Sequence, residues 1–264
     1  MERLSNVRSV LDTIQRYNLL SDLEHTAVLN TRLDCPLQGF GPISLKLATL
    51  NELVDENWLG ENIIDARIAL YSEELNRREP DLIRIFDCDF HIQLSNAFHA
   101  RRACSMLNRV REDLLIRPPF LVAFIVNKNG NHWAPSLTAL HLRTVFQGDS
   151  YGYADEPDLL AMVRWWLRDV VFQDGEWNDR DLAVPQQDCD SGSCGLAAVS
   201  AIAKYAKDQD EVLHGPDPNP TTKLWTNATS CEVRCDWIQL MIHRHLLHVE
   251  LHPVSTPSSS SRHT

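Results

Sequence analysis

Residues 120–126, Phe-Leu-Val-Ala-Phe-Ile-Val, constrain this chain more than any other segment. The run is apolar and rich in β-branched and aromatic residues. Pro118-Pro119 bound it on one side and Asn127-Lys128-Asn129-Gly130 on the other. It is far too short to cross a bilayer, so it predicts a buried strand followed by a tight hairpin turn. The next strand starts at His132 and runs to Ser136. Alternation over Leu140–Phe146 predicts a third, closed by Gly148-Asp149.

Helical spacing governs most of the rest. Leucines and valines over residues 1–28 predict one or two amphipathic helices in an accessory N-terminal segment. Pro36, Gly39, Gly41 and Pro42 make Cys35–Ser44 a loop. Trp58-Leu59-Gly60-Glu61-Asn62 opens a helix over Ile63–Arg78, with Ile63, Ile64, Ile68, Tyr71 and Leu75 as its buried stripe. Pro80 stops it. Further helices are expected over Asp158–Val171, over the alanine-rich Gly195–Lys207 and over Glu232–Glu250. A Pro-rich loop at 215–222 and a disordered Ser/Pro tail at 253–264 complete the reading. The expected organisation is an N-terminal segment at 1–44, one α+β domain at 45–252 with a mixed central β-sheet flanked by helices, and the tail.

The net charge is −11, which repels phosphates and argues against nucleic-acid binding. It favours a partner with a basic face. Seven cysteines, an odd number with the first four widely spaced, and a polar N-terminus without the apolar core of a signal peptide predict free thiols in a reduced compartment, nucleus or cytoplasm. No membrane association is expected, and the chain is expected to be monomeric.

Four segments carry chemistry: His132-Trp133, Gly148-Asp149-Ser150, Pro185-Gln186-Gln187 and Ser193-Cys194-Gly195. A thiol attacks as its thiolate, so Cys194 needs a base. His132 can take the proton, and Asp149 at a strand end can fix the imidazole tautomer. Cys194 precedes a predicted helix, whose N-terminus favours negative charge. Gln186 or Gln187 could donate to a developing oxyanion together with the Cys194 N–H. Taken singly each assignment is weak. A histidine, a cysteine or an Asp after Gly is more often structural. The ordered set is what points to a thiol protease.

That set resembles the ubiquitin-like-specific proteases, the SUMO-protease family of cysteine peptidases. Trp58-Leu59-Gly60-Glu61 is similar to the family's Trp-Leu-x-acidic entry to its first catalytic-domain helix, and His132-Trp133 to its His-Trp. Asp149-Ser150 resembles its Asp-Ser, seventeen residues beyond the His, and Pro185-Gln186-Gln187 with Cys194-Gly195 resembles its Pro-Gln-Gln and Asp-Cys-Gly. The similarity spans about residues 45–250. It implies a papain-like-superfamily cysteine protease fold of the SUMO-protease type. It also implies Cys194 as nucleophile, His132 as base, Asp149 as orienter and Gln187 as oxyanion donor, with Gln186 the alternative. Trp58 and Trp133 would sandwich a Gly-Gly tail, with Glu61 beside them on the substrate side. The implied partner is a ubiquitin-like modifier, with SUMO first, and no cofactor. Ser193 departs from the family's Asp before the nucleophile, residues 188–193 are one longer than usual, and Glu61 stands where Asp is common.

Other readings compete. The modifier could be ubiquitin or another relative. The same thiol-acyl chemistry serves acetyl-CoA-dependent acyltransferases, and a non-catalytic binding module would keep the pocket alone. Cys231 and Cys235 with His243, His245, His248 and His252 suggest zinc, but knuckle-spaced ligand pairs are missing and no metal is expected. Cys189 could form a disulfide with Cys194. Trp165-Trp166 reads as helix packing.

Overall fold

The computed structural model describes residues 2–31, 35–153, 156–168, 170, 175–187, 191–207 and 224–251. The expected Pro-rich loop at 215–222, Cys189 and the tail at 253–264 lie outside them.

The sheet begins with the apolar run. β2 (Leu121–Lys128) pairs antiparallel with β3 (His132–Ala139), with Lys128 directly opposite His132. Asn129 and Gly130 turn the chain at positive φ, 55° and 76°, which is why Asn-Gly sits there. β4 (Thr144–Gln147) lies antiparallel to β3, with Ser136 opposite Gln147. Two parallel edge strands, β1 (Ile83–Ile85) on β2 and β5 (Asn178–Asp181) on β4, complete a five-stranded mixed sheet in the order β1-β2-β3-β4-β5. The third strand is shorter than its alternation suggested. Leu140–Arg143 form a turn closed by the Arg143 N–H to the Leu140 carbonyl, with Arg143 at positive φ. β5 was not legible because Asn-Asp-Arg-Asp has exposed side chains throughout and no apolar period.

Strand alternation splits the core into two layers. Ala123, Ile125, Trp133, Leu137 and Phe146 face one side, where α3 (Glu61–Arg78) and α7 (Cys194–Lys207) will pack. Val122, Phe124, Val126, Ala134 and Val145 face α4 (Asp89–His99), α5 (Ser105–Ile116) and α6 (Leu159–Leu167). The α+β expectation and its mixed sheet therefore hold. α4 and α5 were missed because their apolar stripes are narrow and interrupted by His, Asn and Arg. Trp166 is buried and donates to the Leu107 carbonyl, and Trp165 packs on Phe98, both packing roles.

The N-terminal residues form α1 (Glu2–Arg16) and α2 (Asp22–Leu29). Ser21 and Glu24 make a capping box at the start of α2. Val7, Val10, Ile14 and Val28 join the α3/α7 core, so this segment is packed into the body of the protein. A last helix, α8 (Asn227–Leu251), crosses beneath α3 and α7. It starts five residues earlier than Glu232. A two-stranded pair, β6 (Gln186–Gln187) and β7 (Leu224–Trp225), runs parallel near the site. No helix among the described residues is long and apolar enough to cross a membrane.

Candidate active site

Strand register assembles the first half of the site. β3 starts at His132, and the chain leaving β4 at Gln147 carries Asp149 and Tyr151 to that histidine. His132 Nε2 lies 3.0 Å from each carboxylate oxygen of Asp149. Lys128, opposite His132 on β2, places its Nζ 2.8 Å from Asp149 Oδ2, and the Tyr151 N–H donates to Oδ1 at 2.8 Å. One carboxylate thus takes bonds from three strands' worth of sequence.

These contacts set the charges. Burial opposes ionisation of Asp149, but the bonds from His132, Lys128 and the Tyr151 N–H outweigh it and hold its carboxyl down to about 2. Burial likewise disfavours the charged form of His132, and the Asp149 carboxylate that accepts from the ring, with the Cys194 sulfur nearby, overcomes it and raises the ring to about 9. The ring is 3% exposed. Its other nitrogen, Nδ1, is buried and closes no hydrogen bond of ordinary geometry. It is the nitrogen left for the thiol.

Cys194 is 2% exposed and opens α7. Gly195 follows because a side chain there would meet Ile64 at 3.0 Å and the Trp133 ring at 3.3 Å. Beneath the nucleophile loop lies a polar network that the sequence reading did not find. Arg234 of α8, 2% exposed, donates to the carbonyls of Glu52 (2.8 Å), Asn57 (2.9 Å) and Gly192 (3.2 Å), and to the Ser230 hydroxyl. Glu56 accepts from Ser191 and Ser193, and its carboxylate lies 3.8 Å from Arg234. Ser193, fully buried, also pairs with Ser230. A fully buried hydroxyl requires partners, but that burial is visible only in the fold.

The glutamines divide. Gln186 donates its amide to the Asp149 and Val184 carbonyls. Gln187 is 8% exposed, and both polar atoms of its side chain lack partners. A buried amide without partners is costly to the fold, and its N–H groups are open to an acceptor that enters beside them.

Trp133 is buried and donates to the Leu59 carbonyl at 2.7 Å. Trp58, 39% exposed, stacks on it at 5.2 Å between ring centroids and 16° between planes. Two rings flanking a backbone need about 7 Å between them, twice a van der Waals contact. The gap is therefore closed in this structure. Glu61 is exposed on the first turn of α3. The carboxylate engaged at that turn is Glu52, which accepts from the Gly60 N–H at 2.7 Å.

Solved structures share this architecture. A Ulp1-like SUMO protease catalytic domain from Chaetomium thermophilum superposes at a TM-score of 0.64 and 18% identity, covering 85% of this chain and 90% of that one. The fold is that of the Ulp1-type cysteine protease domains. Ulp1 with its catalytic cysteine oxidised to a sulfinic acid aligns at 0.62 and 16% identity, over 86% and 97% of the two chains. The Ulp1 protease domain in complex with Smt3, the yeast ortholog of SUMO, aligns at 0.60 and 17%, over the same shares. No protein-family model and no curated protein matches the sequence.

Among the described residues, side chains weighed as zinc ligands make other contacts. His243 pairs with Glu24 at 3.1 Å, His245 accepts from the Gln38 N–H at 2.9 Å, and Cys231 contacts the Tyr17 hydroxyl at 3.4 Å.

Proposed function

We propose that the chain is a cysteine peptidase that cleaves after the C-terminal Gly-Gly of a ubiquitin-like modifier, with a SUMO-type modifier as the substrate. The observation that carries this reading is the grouping of Cys194, His132 and Asp149 beside the Trp58–Trp133 stack. The fold shared with the Ulp1 domains supports it.

The steps follow from the groups present. His132 takes the Cys194 proton, and the thiolate sulfur attacks the carbonyl carbon of the last glycine. The oxygen gains the electron pair, and Gln187 with the Cys194 N–H donates to it. As the C–N bond breaks, its electrons go to nitrogen, which takes the proton from His132 and leaves as an amine. Water, deprotonated by the same imidazole, hydrolyses the thioester and restores the thiol. The tryptophan pair explains the glycines, since two aromatic planes close on a backbone only where side chains are absent.

The test is labelling with SUMO, ubiquitin and other Gly-Gly-ended modifiers carrying a C-terminal electrophile. A covalent adduct with SUMO that is lost in Cys194→Ala supports the proposal. An adduct with ubiquitin alone moves the substrate to that modifier, and no adduct with any of them overturns the reading.

A further inference from the structure

The candidate active site is made of two halves. His132 and Asp149 come from the sheet, whereas Cys194 comes from the loop that opens α7. The β3–β4 pairing stops at Ser136 and Gln147, so strand register does not set the distance between the halves.

Residues 149–151 span that gap. The Asp149 carbonyl accepts from the Gln186 side-chain amide at 3.0 Å, and the Ser150 carbonyl accepts from the Gln187 N–H at 3.0 Å. Next in line, the Tyr151 hydroxyl donates to the Ser191 carbonyl. Tyr151 also holds the other half. Its N–H donates to Asp149 Oδ1 at 2.8 Å, and its ring stacks on His132 at 4.9 Å and 29°. One residue therefore contacts the base, the orienter and the nucleophile loop together. Ser191 is gripped from the far side as well, its hydroxyl donating to Glu56 at 3.1 Å. Gly192 lies so near the Glu56 and Asn57 backbone that a Cβ there would meet it at 2.4 Å.

Packing explains the ring but not the hydroxyl. A phenylalanine would fill the same space and stack on the same imidazole. The hydroxyl adds a directed bond to a carbonyl three residues before the sulfur. Direction matters there, because a displacement of about 1 Å between reacting groups can cost about 10²-fold in rate.

We propose that Tyr151 is a positioning residue: its hydroxyl, bonded to the Ser191 carbonyl, sets the nucleophile loop so that Cys194 Sγ faces His132 Nδ1. This rests on the peptidase reading for its effect on turnover. Tyr151 acts through Ser191 and not on the substrate.

Tyr151→Phe removes the hydroxyl and keeps the ring and the N–H. On SUMO carrying a coumarin amide after its Gly-Gly, kcat should fall about tenfold, with KM within about twofold and Tm within a few degrees. A merely structural tyrosine would lower Tm and leave the kcat of the folded protein alone. 4-Aminophenylalanine at position 151, whose amine can donate to the same carbonyl, should restore kcat to within about threefold.

A second readout needs no substrate. The groups facing His132 are Asp149, with Lys128 on its carboxylate, Cys194, and the rings of Tyr151 and Tyr153. Of these, Cys194 alone follows Ser191 along the loop. An NMR titration of the His132 ring, raised to about 9 in the wild type, should therefore show a lower midpoint in Tyr151→Phe. Cys194→Ala should lower it too, and Tyr151→Phe added to Cys194→Ala should lower it no further. An unchanged kcat, an unmoved midpoint in Tyr151→Phe, or an additional fall in the double variant would overturn the proposal. A wild-type protein that cleaves no modifier would overturn the peptidase reading instead, and the titrations would still decide the role of Tyr151.

Discussion

The ammonium of Lys128 and the carboxylate of Asp149 are 2.8 Å apart, with side chains 10% and 2% exposed. The carboxylate that orients the histidine therefore has a second cationic partner, set opposite His132 across the β2–β3 hairpin. This pairing lowers the carboxylate's basicity and competes with the imidazolium for its charge. Replacing Lys128 by Met should raise the alkaline limb of the kcat/KM profile by about 0.5–1 unit, because a positive neighbour of the imidazolium is gone. Arg at the same place should restore the profile. An unmoved limb in Lys128→Met would contradict this.

The wild-type limb itself is predictable. His132, raised to about 9, must carry a proton to release the leaving amine, so kcat/KM should fall as pH rises through about 9. The linked stability has the same sign. A folded pKa above the unfolded value of about 6.5 gives stability that is fully present below that pH and is lost as pH climbs through the folded value. Asp149 works in the opposite direction, stabilising above its unfolded value and losing its contribution as pH drops towards about 2. Titration of Asp149→Asn should show the alkaline limb displaced downwards.

Gln187 and Gln186 should separate by kinetics. Gln187→Ala removes an unpartnered donor, so kcat is expected to drop about 10²–10³-fold with little change in KM and no loss of Tm. Gln186→Ala removes a bond to the Asp149 carbonyl and should cost stability as well as rate. Thermal melts of the two variants, run beside their rate measurements, decide between these roles.

The two tryptophans should also part company. Trp133 is buried and hydrogen-bonded to Leu59, so Trp133→Ala should lose about 3–5 kcal/mol of folding stability. Trp58→Ala should leave Tm within a few degrees and weaken capture of the modifier instead. Because the rings are 5.2 Å apart, Trp58 must swing away before a Gly-Gly backbone can enter. Trp58 fluorescence in a Cys194→Ala protein should therefore shift when a Gly-Gly-ended modifier binds. A spectrum that stays the same despite measurable binding would refute the movement.

Much of this was legible in the sequence, for identifiable reasons. The run at 120–126 gave its strand because burial demands apolar residues, and Asn129-Gly130 gave the turn because its backbone angles demand them. His132 and Asp149 were singled out by their neighbours and order, and the fold does bring their side chains within 3.0 Å. The Arg234 network was hidden, since its partners are mostly backbone carbonyls at positions 52, 57 and 192, which have no residue signature. Tyr151 and Tyr153 were equally silent until the fold brought their rings to His132. The short edge strands β1 and β5 carry too few side chains to announce themselves.

Arg234 reaches back 182 positions to Glu52 but only 42 to Gly192. On a ribosome, the thiol emerges well before the guanidinium that pins its loop. Until residue 234 has been made and docked, the loop bearing Cys194 and the segment before Trp58 share the Glu56 hydrogen bonds but not the guanidinium that ties both backbones. Order of synthesis thus leaves the last tie between the segments on either side of the cleft to a side chain made after both of them.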